Sequence, residues 1–351
     1  MRILITGNMG YIGPNVVRHL RQTRPEAQLI GYDTAYFASA LTTIEPLPEH
    51  ELSAQYFGDV RAIPASLFDG VDAVIHLAAI SNDPMGKAFE EVTMEVNHKA
   101  SVAIAQQAKK AGAKAFVFAS SCSVYGFAED GARTEDSSLN PLTAYARSKV
   151  ATENDLESLA DKNYTVSCLR FSTACGMSPR LRLDLVLNDF VASAVALKKI
   201  NILSDGSPWR PLINTKDMAR AMDWAISRPS GNGSEFLIVN VGSDSWNYQV
   251  KDLALAVQRA MPGVEVSINK DAAPDKRSYK VDFSLFRKLA PEYQPVHDLT
   301  STVRELKAGL EGIGFADAQF RESSLIRLKM LNNLKNAGKV GDDLYWKQGQ
   351  D

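Results

Sequence analysis

Residues 6–13 read Thr6-Gly7-Asn8-Met9-Gly10-Tyr11-Ile12-Gly13 and follow the apolar segment Ile3-Leu4-Ile5 directly. The glycine spacing G-x-x-G-x-x-G between an apolar strand and a helix is typical of a dinucleotide-binding turn. Gly7 permits the tight turn, and Gly10 lets backbone N–H groups approach a diphosphate. Gly13 lets the helix pack closely against the strand. We call residues 6–13 the glycine loop.

An acidic residue stands at the position where such a fold needs it. Asp33 ends a second apolar segment, Leu29-Ile30, and lies 20 residues after Gly13. Dinucleotide-binding folds place a carboxylate there, on the adenosine ribose hydroxyls. A 2′-phosphate would meet that carboxylate at close range, so we expect NAD rather than NADP. The alternative is a Gly-rich turn followed by an ordinary surface Asp; the strand, helix and acid in register favour the dinucleotide.

Composition indicates an enzyme-sized globular chain. Its 351 residues are 45% apolar, its formal net charge is −2, and no apolar run approaches the roughly 18 residues of a membrane span. This balance gives no reason to expect a nucleic-acid or membrane partner. Cys122, Cys168 and Cys175 are odd in number and lack paired metal-ligand spacing, and the first strand leaves no room for a signal peptide. We therefore expect reduced thiols, no metal and a cytoplasmic location.

The first half of the chain alternates between strand and helix patterns. The expected strands are 2–6, 28–32, 55–57, 73–79, 115–120 and 165–170, with helices notably at 88–112 and 143–160. Alternation predicts an α/β fold, a Rossmann-type doubly wound parallel sheet covered on both faces. We expect this domain at 1–175, with a return of the chain around 212–245. A smaller C-terminal α/β substrate lobe and a helical tail would occupy most of 176–351.

The weaker patterns of the second half predict three helices and one strand. The helices are at 184–198, 248–260 and 320–336, and the strand is at 236–241. Leu325, Leu328, Leu331 and Leu334 share one face of the last helix, with Gly338 as its stop. We interpret that stripe as packing rather than as a partner site.

Reactive chemistry is predicted by Tyr145-Ala146-Arg147-Ser148-Lys149. Tyr and Lys four residues apart lie on the same face of a helix. A free Tyr titrates near about 10, so a base at neutral pH needs a lowered pKa. The Lys149 ammonium and a positive nicotinamide ring would both favour the phenolate. The alternative is a solvated helix face, but a Ser-rich strand end at Ser120-Ser121 precedes this pair in the expected order.

These motifs resemble the extended short-chain dehydrogenases/reductases, specifically the NAD-dependent nucleotide-sugar epimerase/dehydratase family. The resemblance covers nearly the whole chain. It rests on the glycine loop, Asp33, Gly58-Asp59-Val60, His76-Leu77-Ala78-Ala79, Asn97, Ser121 before Val124-Tyr125-Gly126, and Tyr145 with Lys149.

The resemblance implies a role for each matching position. Ser121, Tyr145 and Lys149 would be catalytic. Cofactor contacts would come from Gly7, Asn8, Met9, Gly10, Tyr11, Ile12, Gly13, Asp33, Asp59, Val60, Leu77, Ala78, Ala79, Asn97, Tyr145 and Lys149. The nucleotide sugar would meet Ser81, Asn82, Ser121, Cys122, Ser123, Tyr145, Thr173, Arg180, Arg182, Arg210 and Arg277. Arg210 and Arg277 would contact its diphosphate, unless each is only a surface charge. His76 we interpret as a satisfied core histidine.

Two departures from the family pattern bear on the reaction. Members that remove water between C4 and C6 carry Asp-Glu directly after the catalytic hydroxyl, and Cys122 and Ser123 stand there instead. Thr173 replaces an Asn on the phosphate side. Arg180 and Arg182 could compensate for that Asn, recognise an acidic sugar, or be helix-surface charges. Cys122 is expected to be a small packing residue, although a thiol could donate a proton.

The resemblance favours an NAD-dependent epimerase of a nucleoside-diphosphate sugar, acting at C4 through a transient 4-keto sugar. Related enzymes with the same oxidation and another second step are alternatives: a dehydratase, a decarboxylase or a 4-keto reductase. A non-catalytic NAD-sensing regulator on the same fold is a further alternative, but it would not need Ser121, Tyr145 and Lys149 together. A homodimer paired through 96–112 and 143–158 is also implied.

Overall fold

The computed structural model describes residues 1–43, 46–269, 271–272 and 278–347. Its centre is a seven-stranded sheet in the order β3-β2-β1-β4-β5-β7-β11, in which every pair of neighbours is parallel. The strands, numbered in chain order, are β1 Arg2–Thr6, β2 Gln28–Asp33, β3 Ala54–Phe57, β4 Ala73–His76, β5 Ala115–Ser121, β7 Thr165–Phe171 and β11 Phe236–Val241. The strand order reverses between β1 and β4, which is where ligands bind in doubly wound sheets.

Helices cover both faces of the sheet, and a second group builds a separate apolar cluster. The helices are α1 Gly13–Thr23, α2 Asp83–Ala88, α3 Glu90–Met94, α4 Ser101–Lys110, α5 Ala144–Glu157, α6 Val186–Leu197, α7 Thr215–Ala225, α8 Val250–Ala260, α9 Ser284–Leu289, α10 Leu299–Gly312 and α11 Arg327–Asn336. One face is covered by α1 and α7, the other by α4, α5 and α11. The cluster of α6, α8 and α10 forms the smaller lobe.

Short strands join the lobe to the sheet. They are β6 Phe127–Arg133, β8 Thr173–Cys175, β9 Lys199–Ile202, β10 Trp209–Asn214, β12 Asn247–Gln249, β13 Glu265–Ile268 and β14 Ser278–Val281. They pair as β12-β10-β8, β13-β9 and β14-β6. After β10 the chain returns to the sheet through α7 and β11. No helix within the described ranges is long and apolar enough to cross a membrane.

The expected Rossmann-type α/β fold is confirmed, and two helices differ from the sequence prediction. The segment 88–112 is not one α-helix, because a π-helical turn at Glu95–Ala100 separates α3 from α4. The tail helix begins at Arg327 rather than at 320, after a 3₁₀ turn at Phe320–Glu322. Leu331 and Leu334 are buried against the core, and Gly338, with φ +69°, follows the helix as expected.

A buried ion pair fixes α5 against the sheet. Arg170 of β7 and Glu153 of α5 are 3% and 1% exposed, and Arg170 Nη2 lies 2.7 Å from Glu153 Oε2. Arg170 also donates to the hydroxyl of Tyr125, which in turn donates to Asn240 of β11. Since buried charges need partners, this network determines how α5 sits across the ends of β5, β7 and β11.

We expect Arg170→Met to lower the free energy of unfolding by about 3–5 kcal/mol, because Glu153 would remain buried without its cation. Urea unfolding followed by circular dichroism measures the change. Arg287→Met is the matched control, since Arg287 pairs with Asp244 at the surface, and it should leave stability nearly unchanged. Equal midpoints for the two variants would show that the buried pair does not secure α5.

Candidate active site

A cavity of about 850 Å³ opens at the carboxyl ends of the parallel strands. The expected site residues that line it are Gly7, Gly10, Tyr11, Ile12, Asp33, Asp59, Val60, Leu77, Ala78, Ala79, Ser81, Asn82, Ser121, Ser123, Tyr145, Lys149, Thr173, Arg182 and Arg210. Asn8, Met9, Gly13, Asn97, Cys122 and Arg180 lie behind this lining, and Arg277 lies outside the described residues. The fold thus brings predicted site residues as far apart in the sequence as Gly7 and Arg210 to one cavity.

The glycine loop is closely packed at all three of its glycines. Gly7 has φ +75°, and a Cβ on it would lie 2.5 Å from the backbone nitrogen of Ala78. A Cβ on Gly13 would lie 2.2 Å from the carbonyl oxygen of Asn8. A Cβ on Gly10 would lie 3.2 Å from the carbonyl oxygen of Gly7, which is also a tight contact, and Gly10 itself lines the cavity. This is the cradle that a diphosphate requires.

Asp33 is held in place by the backbone around it. Its carboxylate accepts hydrogen bonds from the N–H groups of Met9, at 3.0 Å, and Ala35, at 2.8 Å. Burial raises the pKa of this carboxyl group, and the two N–H bonds oppose that shift. The orientation at the cavity wall fits a group that binds ribose hydroxyls.

Tyr145 lies at the first turn of α5, whose N-cap is Thr143. The Ser121 side chain, at the end of β5, lies close enough to the phenol to lower its pKa. Gly86 of α2 packs against the Tyr145 backbone, where a Cβ would lie 3.1 Å from the nitrogen. The pKa of the Tyr145 phenol is raised to about 12, mainly by burial. The nearby Ser121 side chain acts to lower this pKa, and the charge of Asp83 acts to raise it. The protein without cofactor therefore raises the phenol pKa, and the lowering expected from Lys149 together with a positive nicotinamide ring stays a prediction.

Lys149 reaches the same cavity from one turn further along α5. Its ammonium donates to the carbonyl oxygen of Ala119 at 2.7 Å and lies 5.6 Å from the centre of the Tyr145 ring. The side chain is 3% exposed. Burial lowers the pKa of Lys149 to about 7, and the nearby Glu153 opposes that shift. The charged form of Lys149 is consequently costly in the protein alone.

Two buried polar residues support the cavity from behind. Asn97, in the π-helical turn, accepts from the N–H of Ile80 and donates to its carbonyl and to the Ser148 hydroxyl. It therefore orders the backbone next to the cavity. The His76 ring forms hydrogen bonds with the hydroxyls of Thr6 and Ser101, and burial lowers the pKa of His76 to about 3. It is the satisfied core histidine that the sequence predicts.

The side chains at the two positions after Ser121 have different surroundings: Cys122 is buried in the protein, and Ser123 lines the cavity. Cys122 is 1% exposed and its thiol donates to the carbonyl oxygen of Arg170, 3.1 Å away, and burial raises its pKa. Ser123 lines the cavity, and its shielded hydroxyl has no hydrogen-bond partner among the residues that the structure describes. Cys122 therefore serves packing, whereas Ser123 offers a free hydroxyl at the reactive end.

The arginines of the 180–182 segment are both ion-paired. Arg180 Nη1 lies 2.6 Å from Glu49, and Arg182 is bidentate to Asp184 at 2.9 and 3.0 Å. Arg182 also donates to the Ser81 hydroxyl at the cavity wall. Neither arginine is a helix-surface charge, since they are 2% and 6% exposed.

The cavity residues that sequence reasoning missed include four polar or charged ones, Asp83, Asp184, Tyr279 and Arg327. Asp83 had a local signal, because Asn82-Asp83-Pro84 is a helix start, and Thr143 donates to its carboxylate at 2.7 Å. Asp184 and Tyr279 lie two residues from the predicted Arg182 and Arg277, whereas Arg327 comes from a distant segment that only the fold brings to the cavity. No group of three metal-ligating side chains occurs among the residues that the structure describes.

The site belongs to a pattern found in known proteins. The sequence model of the family described as NAD dependent epimerase/dehydratase matches residues 3–242. A UDP-glucose 4-epimerase of Bacillus subtilis (strain 168) is 26% identical over 293 residues, covering 76% of this chain and 84% of that protein. A dTDP-glucose 4,6-dehydratase of Streptomyces griseus is 26% identical over 310 residues, covering 86% and 92%.

A solved structure shares the fold over most of its length. The UDP-glucose-4-epimerase from Stenotrophomonas maltophila, crystallised with bound NAD and formylated UDP-arabinopyranose, superposes with a TM-score of 0.76 at 22% identity. The superposition covers 90% of this chain and all of that one.

We expect the stability of the wild-type protein to rise relative to Lys149→Met between pH about 7 and about 10. Above pH 7 the folded protein holds Lys149 neutral, whereas the unfolded chain keeps it protonated up to about 10.4. The unfolded state then binds more protons, so the difference grows by up to about 1.4 kcal/mol per pH unit. Urea unfolding across this range measures it. Lys162→Met, at an exposed position, is the control; a flat difference for Lys149→Met would mean that burial does not lower its pKa.

Proposed function

Because this chain belongs to the NAD-dependent epimerase/dehydratase family, we propose that it epimerises a nucleoside-diphosphate sugar at C4 with NAD as cofactor. The observation that carries this proposal is the convergence of Ser121, Tyr145 and Lys149 with the glycine loop in one cavity. A regulator that only senses NAD has no need of this arrangement.

The residues present fit NAD. The backbone at Gly7 and Gly10, which lines the cavity, would take the diphosphate, and the oriented carboxylate of Asp33 would bind the adenosine ribose. Asp59 and Val60 would lie against adenine, and Lys149 would meet the second ribose. Bound NAD would supply a hydride acceptor and a positive charge that favours the phenolate form of Tyr145.

Tyr145 would take the proton of the sugar C4 hydroxyl. The Ser121 hydroxyl, which lies close enough to lower the pKa of the phenol, would share that proton with Tyr145. The Lys149 ammonium, 5.6 Å from the ring centre, would stabilise the phenolate by charge rather than by contact. With a pKa raised to about 12 in the protein alone, the phenol becomes a base only when the cofactor's charge is added. Oxidation is thereby coupled to cofactor binding.

Epimerisation requires the oxidised sugar to turn without leaving. Arg210 on β10 lines the cavity and would hold the substrate diphosphate, with Thr173 on the neighbouring β8. Binding energy from the nucleotide end would then retain the sugar while its other face meets the returning hydride. The burial of Cys122 and the small hydroxyl of Ser123 support this reading over dehydration, since no carboxylate directly follows Ser121.

A 4,6-dehydratase is the second candidate, and Asp83 is the observation that favours it. Its carboxylate lines the cavity close enough to raise the pKa of Tyr145. An acid supplied by α2 could replace the Asp-Glu pair that dehydratases carry after the catalytic hydroxyl. The fate of the C4 hydrogen separates the two reactions.

A homodimer is also part of the proposal. The regions 96–112 and 143–158 lie side by side, joined by His98 and Asp155 at 2.7 Å. Val102 and Ala103 are half-buried in a single chain, as expected of residues that a second copy would cover.

Tyr145→Phe should lower turnover by roughly 10²-fold or more, because it removes the general base. Folding and NAD affinity should stay close to those of the wild type. Initial rates with the sugar identified from a nucleotide-sugar panel, together with calorimetry for NAD, test both parts. Tyr293→Phe, which removes a hydroxyl outside the cavity, is the control. Near-normal turnover of Tyr145→Phe would show that another residue is the general base.

A substrate deuterated at C4 should keep its label at C4 with inverted configuration, and no NADH should accumulate. Mass spectrometry and NMR of the product locate the label. A dehydratase would instead move it to C6 with loss of one water, a decarboxylase would release carbon dioxide, and a reductase would consume external cofactor stoichiometrically. Label at C6 in a 4-keto-6-deoxy product would establish the second candidate, and repeating the reaction with Asp83→Asn would then test its acid.

A further inference from the structure

Arg327 is a buried cation at the cavity that comes from outside residues 3–242. It is the first residue of α11 and is 1% exposed. It lines the cavity, the charge of Tyr11 in the glycine loop acts to raise the pKa of Arg327, and its guanidinium carbon lies 4.6 Å from the centre of the Phe37 ring. Phe37 follows Asp33 in the loop after β2. Arg327 therefore lies on the dinucleotide side of the cavity.

The other arginines of this region have carboxylate partners. The pairs are Arg180 with Glu49, Arg182 with Asp184, and Arg321 with Asp189. Arg327 has none within the described residues. Its one hydrogen bond runs from Nη2 to the carbonyl oxygen of Arg180, at 2.7 Å, and its Nη1 has no partner.

An unpaired buried charge makes a protein less stable, so its retention calls for an explanation. Burial, and next the charge of Arg182, lower the pKa of Arg327 to about 9, whereas Asp184 opposes the shift. The wall of the cavity therefore holds one positive charge more than its carboxylates balance at this point. A bound anion would supply the missing partner.

We infer that Arg327 supplies the positive charge that neutralises the diphosphate of the bound dinucleotide above the glycine loop. A charge in a wall of low dielectric acts over several ångströms, so direct contact with a phosphate oxygen is not required. The inference rests on NAD as the cofactor and not on the epimerisation proposed above. The C-terminal helix thereby takes part in cofactor binding.

Arg327→Met tests this, since methionine keeps the apolar stem and removes the charge. Without NAD the variant should melt at the wild-type temperature or higher, because an unpaired buried charge is gone. Its affinity for NAD and for ADP-ribose should fall by about ten- to a hundredfold, the usual scale of a lost charge-assisted interaction. Differential scanning fluorimetry and calorimetry give the two readouts, and Arg327→Lys should recover part of the affinity. Lys329→Met is the control, because Lys329 lies on the same helix and pairs with Glu322 at the surface.

Three outcomes would overturn the inference. Unchanged affinity for NAD and ADP-ribose would show that the charge does not reach the dinucleotide. A lower melting temperature with proportionate loss of every ligand would assign Arg327 a purely structural role. Weakened UDP binding with unchanged ADP-ribose binding would place the charge at the substrate diphosphate instead. If the wild-type protein fails to bind UDP, the proposed substrate class is in doubt, but the ADP-ribose result still decides the role of Arg327.

Discussion

The position of α5 relative to the sheet is the constraint on which the site depends. Tyr145 and Lys149 can act together only if one face of this helix meets the ends of β5 and β7 at a defined angle and depth. The buried pair of Glu153 and Arg170 sets the depth, and the bond from Lys149 to Ala119 sets the contact one turn earlier. The first is an ion pair and the second a hydrogen bond, both away from water, so a small displacement would leave a buried charge or polar group without its partner. On the same face of α5, Glu153 therefore holds the helix on the sheet, and Lys149 reaches the cavity.

Burial also disfavours the charged forms of the two reactive groups. The pKa of Tyr145 is raised to about 12 and that of Lys149 is lowered to about 7. The protein by itself therefore stabilises neither the phenolate nor the ammonium. A bound ligand of suitable charge would stabilise these charged forms, so the reactivity of the site depends on ligand binding. Without the ligand, the buried groups lower the stability of the fold.

The C-terminal tail brings a second contribution to the dinucleotide end. Beyond α11 the chain packs against the loops that follow β2 and β3: Tyr36 donates to the carbonyl of Leu344, Trp346 donates to the carbonyl of Thr34, and Arg61 lies 3.6 Å from the ring centre of Tyr345. These loops stand next to Asp33 and Asp59. The tail thus supports the region proposed to bind adenosine, and it delivers Arg327 to the same side of the cavity.

Local patterns in the sequence determined the parallel sheet, the glycine loop and the positions of Tyr145 and Lys149. Each of these is a short-range property: alternation of strand and helix, the spacing of glycines, or two side chains one helical turn apart. The satisfied His76 and the packing role of Cys122 were also within reach, because both follow from position on a buried strand end. The π-helical turn at Asn97 could not be predicted in this way, because the hydrogen bonds of Asn97 go to the backbone of Ile80, which is distant in sequence.

Only the tertiary structure decided the electrostatics of the site. The Tyr-x-x-x-Lys spacing predicted a lowered phenol pKa, but the shift depends on how much protein surrounds the phenol and on Asp83, which arrives from another helix. The same holds for Arg180 and Arg182, whose charges are balanced by Glu49 and Asp184, and for Arg327, which has no carboxylate partner in the described part of the chain. Charge effects depend on distance and burial in three dimensions, and a linear sequence states neither.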